Sequence, residues 1–355
     1  MAETPQDLSE TPSDSPTDPL SDLLGSMHLA GVVLFRAEFR EPWWLVAPAS
    51  CQLAKLLPFR TEHIIPFHIV AAGGCWLEIK DRERIWLETG DAVLMPYGDG
   101  HDLFGDKKAD QGLSPGQLLP PPPWSDIQVA RHDGGGGAFA HLICGFLQCD
   151  ELLFHPILHH LPVLMHVRPG ASDDWLASTI RHTIDEVSHT RPGARNMLPR
   201  LTELMFVEIL RKHMQCRPSD EVGWFAAVSD PVVGAALRHL HTSPMLDWSV
   251  DGLAHQVGVS RTVLAERFKY FLALPPMQYL SRWRLQMAAQ KLKTGDAPIK
   301  IIADQTGYES EASFNRAFKR LFGMPPGDWR SRQDGVPTTP PGTAGGRPSR
   351  PDSRA

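Results

Sequence analysis

The chain has 355 residues, of which 42% are hydrophobic and 21% are charged. This length suits two ordinary domains, and the apolar content excludes a wholly disordered protein. No apolar run approaches the roughly 18 residues of a membrane-spanning helix, and the acidic, Pro-rich start is unlike a signal peptide. The 5 cysteines form no CxxC pair, which argues against a zinc ribbon or a disulfide framework. The sequence therefore predicts a cytoplasmic protein with reduced thiols.

The formal charge of −6 is unevenly distributed along the chain. Residues 231–332 carry 14 Lys and Arg against 8 Asp and Glu, whereas residues 1–230 carry 18 against 31. A basic segment attached to an acidic body favours a polyanionic partner for that segment, because Lys and Arg neutralise phosphates. Ordinary surface variation is the alternative, so charge alone does not decide for nucleic acid.

The apolar pattern predicts the order of elements. Residues 1–19 and 333–355 lack periodic apolar residues and are predicted to be disordered tails. Residues 20–170 contain short apolar runs between turn signals, typical of strands. Residues 171–217 change to a helical period, residues 218–230 form a predicted linker, and Asp230-Pro231 opens a further helical region to residue 332. These patterns predict an α+β multidomain protein.

The two helices predicted within residues 171–217 each have an apolar face. One face is marked by Trp175, Ile180 and Ile184, and the other by Leu204 and Ile209. Because such faces are too apolar to lie bare in water, we expect the helices to mediate a symmetric homodimer. Packing of both helices on their own domain is the alternative.

The C-terminal region contains two copies of one pattern, which begin at Leu253 and Ile302 and are offset by 49 to 50 residues. Each copy predicts a helix, a turn at glycine and a second helix capped by serine. This order of elements is typical of a helix-turn-helix motif. Successive residues of a helix are rotated by 100° about its axis. On the second helix of each copy, the large apolar residues therefore fall on one face and a polar face lies opposite. That face carries Thr262, Glu266 and Lys269 in the first copy, and Ala312, Arg316 and Lys319 in the second.

The second copy, GYESEASFNRAFKRLFGMPPGDWR from Gly307, resembles the second-motif signature of the AraC/XylS family of transcription regulators. The resemblance spans Pro231 to Arg332 and implies a tandem helix-turn-helix that reads successive major grooves of double-stranded DNA. It also implies transcription activation and contact with RNA polymerase. Carried over by position, the base-reading residues are Thr262, Ala265 and Glu266 in the first motif, and Glu311, Ala312, Ser313 and Arg316 in the second.

The strand-rich half contains G-x5-P-x-G-x2-H from Gly90 to His101, which resembles the second motif of cupins. The resemblance implies a β-barrel with His101 pointing inward. The first cupin motif would supply an H-x-H pair, but here only His68 and His63 are present. No metal, cofactor or enzymatic activity is therefore predicted, and a cupin metalloenzyme or metallosensor fused to a DNA-binding module is the alternative.

Residues 20–215 resemble the cupin-type sensor domain of one AraC subgroup, some members of which sense reactive chlorine or related oxidants through cysteine. The ICG cysteine of that resemblance is Cys144, and Cys75 is a second candidate. A small-molecule effector in the barrel, near His68, Trp76 and His101, is the other candidate signal. Both cysteines could instead be small hydrophobic residues on strands, as most free cysteines are. For a resolving partner of Cys144, Cys149 is the nearest cysteine in sequence.

Overall fold

The computed structural model describes residues 18–25, 29–56, 63–120, 126–149, 161–168, 175–189, 191–216 and 222–333. Nearly all of the two predicted tails lies outside these ranges. Asp18 and Pro19 are described, and Pro19 begins a short helix instead of ending a tail. Leu20 and Leu23 of that helix are buried, so Pro19 belongs to the folded domain and not to a tail.

Among the described residues of the N-terminal half, ten strands are arranged in two sheets. The strands are β1 (Ala30–Arg40), β2 (Trp44–Ala47), β3 (His63–Ala72), β4 (Gly74–Ile79), β5 (Ile85–Glu88), β6 (Ala92–Leu94), β7 (His101–Phe104), β8 (Gln128–Asp133), β9 (Phe139–Cys149) and β10 (Met165–Val167). One sheet has the order β10-β6-β3-β9-β1-β8 and the other β2-β7-β4-β5. All pairs are antiparallel except β1 with β8. The strand-rich N-terminal half is therefore as predicted.

Thirteen helices lie within the described residues. They are α1 (Pro19–Gly25), α2 (Ser50–Leu56), α3 (Pro115–Leu118), α4 (Trp175–Ser188), α5 (Ala194–Gln215), α6 (Trp224–Ser229), α7 (Pro231–Thr242), α8 (Val250–Gln256), α9 (Arg261–Leu272), α10 (Pro276–Thr294), α11 (Ile299–Gln305), α12 (Glu311–Phe322) and α13 (Pro326–Gln333). Every element of the described chain from Trp224 to Gln333 is a helix, and the α+β class is confirmed. None of these helices is long and apolar enough to cross a bilayer.

Two apolar cores follow from the alternation of side chains along the strands. On β9, Leu142, Cys144 and Phe146 belong to a core between the two sheets. Ile143 and Leu147, on the other face of the same strand, belong to a core shared with the helices. The six-stranded sheet therefore has the barrel interior on one side and helices on the other.

Helices α4 and α5 pack on their own domain, as the alternative to the dimer predicts. α5 lies against β1 and α4, and Ile180 and Ile209 are buried in the helical core. Two residues expected on the apolar faces lie outside this core, since Trp175 is 59% exposed and Leu204 is 46% exposed. Only a narrow apolar strip of these helices remains for a partner.

Helix α6 occupies the segment predicted as a linker. Trp224 and Phe225 are buried, and the helix packs against α7 and α9. Asp230 ends α6 and caps α7, accepting hydrogen bonds from the amides of Val232 and Val233 at 3.1 and 2.8 Å. The described part of the predicted linker, residues 222–230, therefore belongs physically to the C-terminal helices.

Candidate functional site

The two repeat copies fold into matching helical pairs, α8 with α9 and α11 with α12. Gly258 and Gly307 adopt positive φ angles of 71° and 77° at the two turns, a region that costs glycine little. Ser260 and Ser310 cap α9 and α12 by accepting hydrogen bonds from the amides three residues later, at 3.3 and 3.2 Å. The predicted helix-turn-helix geometry is therefore present twice.

A buried aromatic stripe fixes which face of α12 meets water. Phe314, Phe318 and Phe322 are buried and form successive tilted ring contacts, and Trp329 of α13 contacts the last two rings. In α9, Leu264 and Phe268 take the equivalent buried positions. The long helix α10 packs against both units and holds them in one body.

The opposite faces of α9 and α12 carry most of the predicted DNA-binding residues at the surface. The exposed ones are Thr262, Glu266, Lys269, Glu311, Ala312, Arg316 and Lys319. Ala265 and Ser313 are only half-exposed. The Ser313 hydroxyl donates to the carbonyl of Ser310 at 2.8 Å, so its proton serves the helix start and is not available to a base.

Two other arginines of the basic C-terminal region form hydrogen bonds within the protein, so their side chains are not available to DNA. Arg267 binds the carboxylate of Asp230, with Nε 3.2 Å from Oδ1. Arg284 donates to the carbonyls of Pro244 and Leu246 at 2.7 and 3.0 Å. By contrast, Arg316 and Lys319 form no ion pair within the described residues. Their charges are therefore available to an external anion.

The barrel interior brings together three of the four predicted sensor residues. Cys144 pairs directly with His68 across β9 and β3, and both side chains point between the sheets. His68 Nδ1 lies 3.0 Å from Cys144 Sγ, and His68 Nε2 lies 2.7 Å from His101 Nε2. His101 Nδ1 is 2.9 Å from the carbonyl oxygen of Asp99. The thiol thus ends a continuous chain of hydrogen bonds.

The carbonyl at the far end of this chain sets the direction of every proton. Because the Asp99 oxygen only accepts, His101 Nδ1 must donate, which leaves Nε2 of the neutral ring as an acceptor. His68 Nε2 therefore donates to His101, and His68 Nδ1 accepts from the Cys144 thiol. Burial lowers the pKa of His101 and places that of His68 well below its ordinary value, which keeps both rings neutral.

The same geometry bears on metal binding. The Cys144 sulfur and His101 Nε2 lie on opposite sides of the His68 ring, so the three donors form a line instead of converging on one point. A zinc site needs every ligand within about 2.0–2.3 Å of a common centre. Among the residues that the structure describes, no three His, Cys, Asp or Glu side chains form such a group.

Cys75, the fourth predicted sensor residue, lies on β4 of the opposite sheet and is fully buried in the same interior core. Burial, reinforced by Asp91, raises the pKa of its thiol to about 12. Trp76 does not line the interior, because its indole donates to Asp106 at 3.1 Å and stacks with Arg84 on the outer face. The prediction that His68, Trp76 and His101 line the interior together is therefore wrong for Trp76.

Both halves of the chain are similar to known proteins. Residues 18–215 match a family model described as Cupin, and residues 253–332 match one described as Helix-turn-helix domain. A putative AraC-like transcription regulator of Streptomyces lividans is 34% identical over 79% of this chain and 90% of its own length. The regulator AlkR of Acinetobacter baylyi is 29% identical over 76% and 89%. The activator RclR of Escherichia coli, named as RCS-specific, is 25% identical over 76% and 85%.

Proposed function

The chain belongs to the AraC-like family of transcription regulators, and from this premise we propose that it activates transcription by binding double-stranded DNA through α9 and α12. The observation that carries the proposal is the pair of matching helices, each capped at its start and exposing a polar face. Arg316 and Lys319 are exposed on one such face and form no ion pair in the described part of the chain. RNA polymerase as a partner and a cytoplasmic location are part of the same proposal.

DNA binding by the full-length protein is expected to weaken steeply with salt. Each phosphate neutralised by Lys or Arg releases counterions, so the logarithm of affinity should fall linearly with the logarithm of salt concentration. Fluorescence anisotropy on a fragment selected by the protein from its source genome measures this slope. Equal affinity at low and moderate salt would contradict the proposal.

Arg316 and Lys319 are expected to differ in the kind of contact they make. Arg316→Ala should cost about 1–3 kcal/mol of binding free energy and relax the preference at one or two base pairs, as loss of a base contact does. Lys319→Ala, its matched control one turn along the same face, should weaken all sequences alike. Selection of bound fragments with each variant tests this. An unchanged sequence preference for Arg316→Ala would reassign Arg316 to a phosphate contact.

We also propose a homodimer through the exposed strip of α5. Met197 and Leu204 lie on the side of α5 opposite its buried residues. Their side chains are 52% and 46% exposed. An isologous contact would bury the strip against its copy. Leu204→Glu is expected to shift sedimentation from dimer to monomer at micromolar concentration. Tyr270→Glu, at a site on α9 that is 61% exposed, should leave the dimer intact, and a monomeric parent protein would refute this proposal.

The signal is proposed to act inside the barrel, either as an oxidant at Cys144 or as a small-molecule effector. The hydrogen bond between the thiol and His68 favours the first, because a base within hydrogen-bond reach can accept the thiol proton. The alternative of a metalloenzyme or metallosensor requires a convergent set of ligands, which the line formed by Cys144, His68 and His101 does not supply. Zinc and iron analysis of purified protein tests it, since a stoichiometric metal would revive that reading.

A further inference from the structure

We propose that four side chains on the outer face of the four-stranded sheet form a binding site for a small organic cation that carries a trimethylammonium group. The four are Trp44, Phe104, Glu78 and Asp102, and we call them the outer cage. In the structure the ammonium of Lys108, a residue of the same chain, occupies the outer cage. The inference goes beyond the proposed function, because this site lies outside the barrel interior and away from the two helices proposed to bind DNA.

Strand register places aromatic rings in one row across the four-stranded sheet. The paired residues, in the order of the strands, are Trp44, Phe104, Trp76 and Trp86. Side chains alternate along a strand, and the leucines next to these residues belong to the barrel core, so the rings face outward. Helices α4 and α5 pack on the six-stranded sheet instead, against β3 and β1. The barrel core therefore does not account for this row.

A second row, two residues further along the strands, supplies negative charge. Asp102 and Glu78 pair with each other across β7 and β4, and both side chains are partly exposed. Two carboxylates directly opposite each other destabilise a sheet, so a cation between them is favoured. The Nζ atom of Lys108 lies 3.4 Å from Asp102 and 3.5 Å from Glu78. The two acids thus draw a cation to the edge of the aromatic row.

The same ammonium lies over two aromatic rings. Its nitrogen is 4.1 Å from the ring centroid of Trp44 and 4.3 Å from that of Phe104. A cation within about 6 Å of a ring centroid is attracted by the ring quadrupole. Arg84 lies over Trp76 in the same row, at 4.5 Å. Two separate cations of the chain thus lie on one row of rings, which shows the preference of this surface for positive charge.

The contacts of Lys108 suit a cation that donates no hydrogen bonds. Charge-assisted hydrogen bonds from an ammonium to a carboxylate are about 2.7–2.9 Å long, whereas the two distances from Lys108 Nζ are 3.4 and 3.5 Å. The ammonium is therefore held by its charge and by the rings more than by its protons. A trimethylammonium group offers the same charge without protons, and its methyl groups can contact the rings. Aromatic cages bind such groups in other proteins.

Lys108 can leave the outer cage without movement of the backbone. Its side chain is 33% exposed, and an exposed side chain changes rotamer within nanoseconds. The loop that carries it is held independently, because Trp76 Nε1 donates to Asp106 at 3.1 Å and backbone hydrogen bonds join Leu113 to β2. An external ligand must compete with this tethered ammonium, which has a high effective concentration. Removal of the Lys108 ammonium should therefore raise the affinity for the ligand.

The carboxylates also restrict the rest of the ligand. A phosphate next to the ammonium, as in phosphocholine or a choline lipid, would be brought close to Asp102 and Glu78 and be repelled by them. A trimethylammonium compound without an anionic group, such as choline, avoids this repulsion. The charge of the outer cage thus favours a free cation over a lipid headgroup.

Isothermal titration of the full-length protein with choline chloride tests the proposal, at an ionic strength kept constant with sodium chloride. Lys108→Ala is expected to bind choline roughly tenfold more tightly than the parent or better, because the tethered competitor is gone. Lys107→Ala, the matched control next to it in the same loop, should bind choline as the parent does. Dimethylbutanol, the uncharged carbon isostere of choline, should not bind, and phosphocholine should bind more weakly than choline.

The carboxylates are tested within the Lys108→Ala protein. Adding Asp102→Asn and Glu78→Gln should weaken choline binding roughly tenfold or more, because the attraction of the two charges is lost. Both substitutions keep the shape of partly exposed side chains, and cooperative unfolding of each variant shows that it is folded. Choline binding that survives their loss undiminished would contradict the proposal.

Other outcomes would also overturn it. These are no choline binding to Lys108→Ala, binding no tighter than that of the parent, equal binding of the uncharged isostere, or phosphocholine binding as tight as that of choline. The titration contains no DNA, so such results refute only this inference. Failure of the proposed function is seen instead in the salt dependence of DNA binding by the parent protein.

Discussion

Phe318→Ala is expected to lower the free energy of unfolding of the C-terminal helices by about 3–5 kcal/mol, the usual cost of removing a fully buried aromatic ring. Phe318 is 0% exposed and lies between Phe314, Phe322 and Trp329. The cavity would open beneath α12, the helix that carries Arg316 and Lys319. Loss of DNA binding should therefore accompany the loss of stability.

Urea unfolding followed by tryptophan fluorescence measures this, because Trp329 reports on the same ring cluster at 5.9 Å between centroids. Phe268→Ala, at the equivalent position of the first repeat and equally buried, should cost a similar amount. Tyr270→Ala, at a site 61% exposed, should change stability by less than about 0.5 kcal/mol. A Phe318→Ala protein as stable as the Tyr270→Ala control would show that the cluster does not hold α12.

The helical half was predictable because its information is local. Each copy of the repeat has a glycine at the turn, a capping serine and a 3.6-residue apolar period. All three signals lie within a short stretch of sequence, and each occurs in both copies. Rotation about the helix axis alone placed Thr262, Glu266, Arg316 and Lys319 on the exposed face, where the structure has them. The hydrogen bond from the Ser313 hydroxyl to the Ser310 carbonyl was missed, because a serine near a helix start can bond either to the backbone or to a ligand.

The sensor half was predictable in type but not in detail, because strand pairing joins residues far apart in sequence. His68 and Cys144 are 76 residues apart, and no spacing rule shows that they face each other. The nearest cysteine in sequence, Cys149, suggested a partner that the alternation of side chains excludes. Trp76 was misplaced for the same reason, since the face of β4 that meets the other sheet is decided by Cys75 and Leu77.

The junction between the halves was the least predictable part. The segment predicted as a linker, residues 218–230, has a glycine, a proline and three acidic residues, a composition typical of linkers. Trp224 nevertheless buries its ring and donates to Tyr279 of α10 at 3.2 Å. Six helical residues are too few for a periodic signal, so only the tertiary contact reveals that α6 belongs with the DNA-binding helices.

Asp230→Ala, at this junction, is expected to lower the free energy of unfolding by about 2–4 kcal/mol. The substitution removes the cap of α7, worth about 1 kcal/mol, and the charge-assisted hydrogen bonds with Arg267. Arg267 lies on α9, so the same carboxylate ties the start of α7 to the first of the two helices that we propose bind DNA. Chemical denaturation and DNA affinity, measured on the same variant, should both show the loss.

Asp230→Asn separates the cap from the charge, because asparagine caps helices as well as aspartate does. Burial alone would raise the pKa of Asp230, but the hydrogen bonds from Arg267 and the α7 amides outweigh it and lower the pKa. A lowered pKa means that the charge stabilises the fold above the unfolded value of about 3.9 and ceases to do so as the pH falls through the folded value. The stability difference between the parent and Asp230→Asn should therefore be full at neutral pH and shrink below about pH 4. A difference that persists unchanged in acid would show that the ion pair with Arg267 contributes nothing.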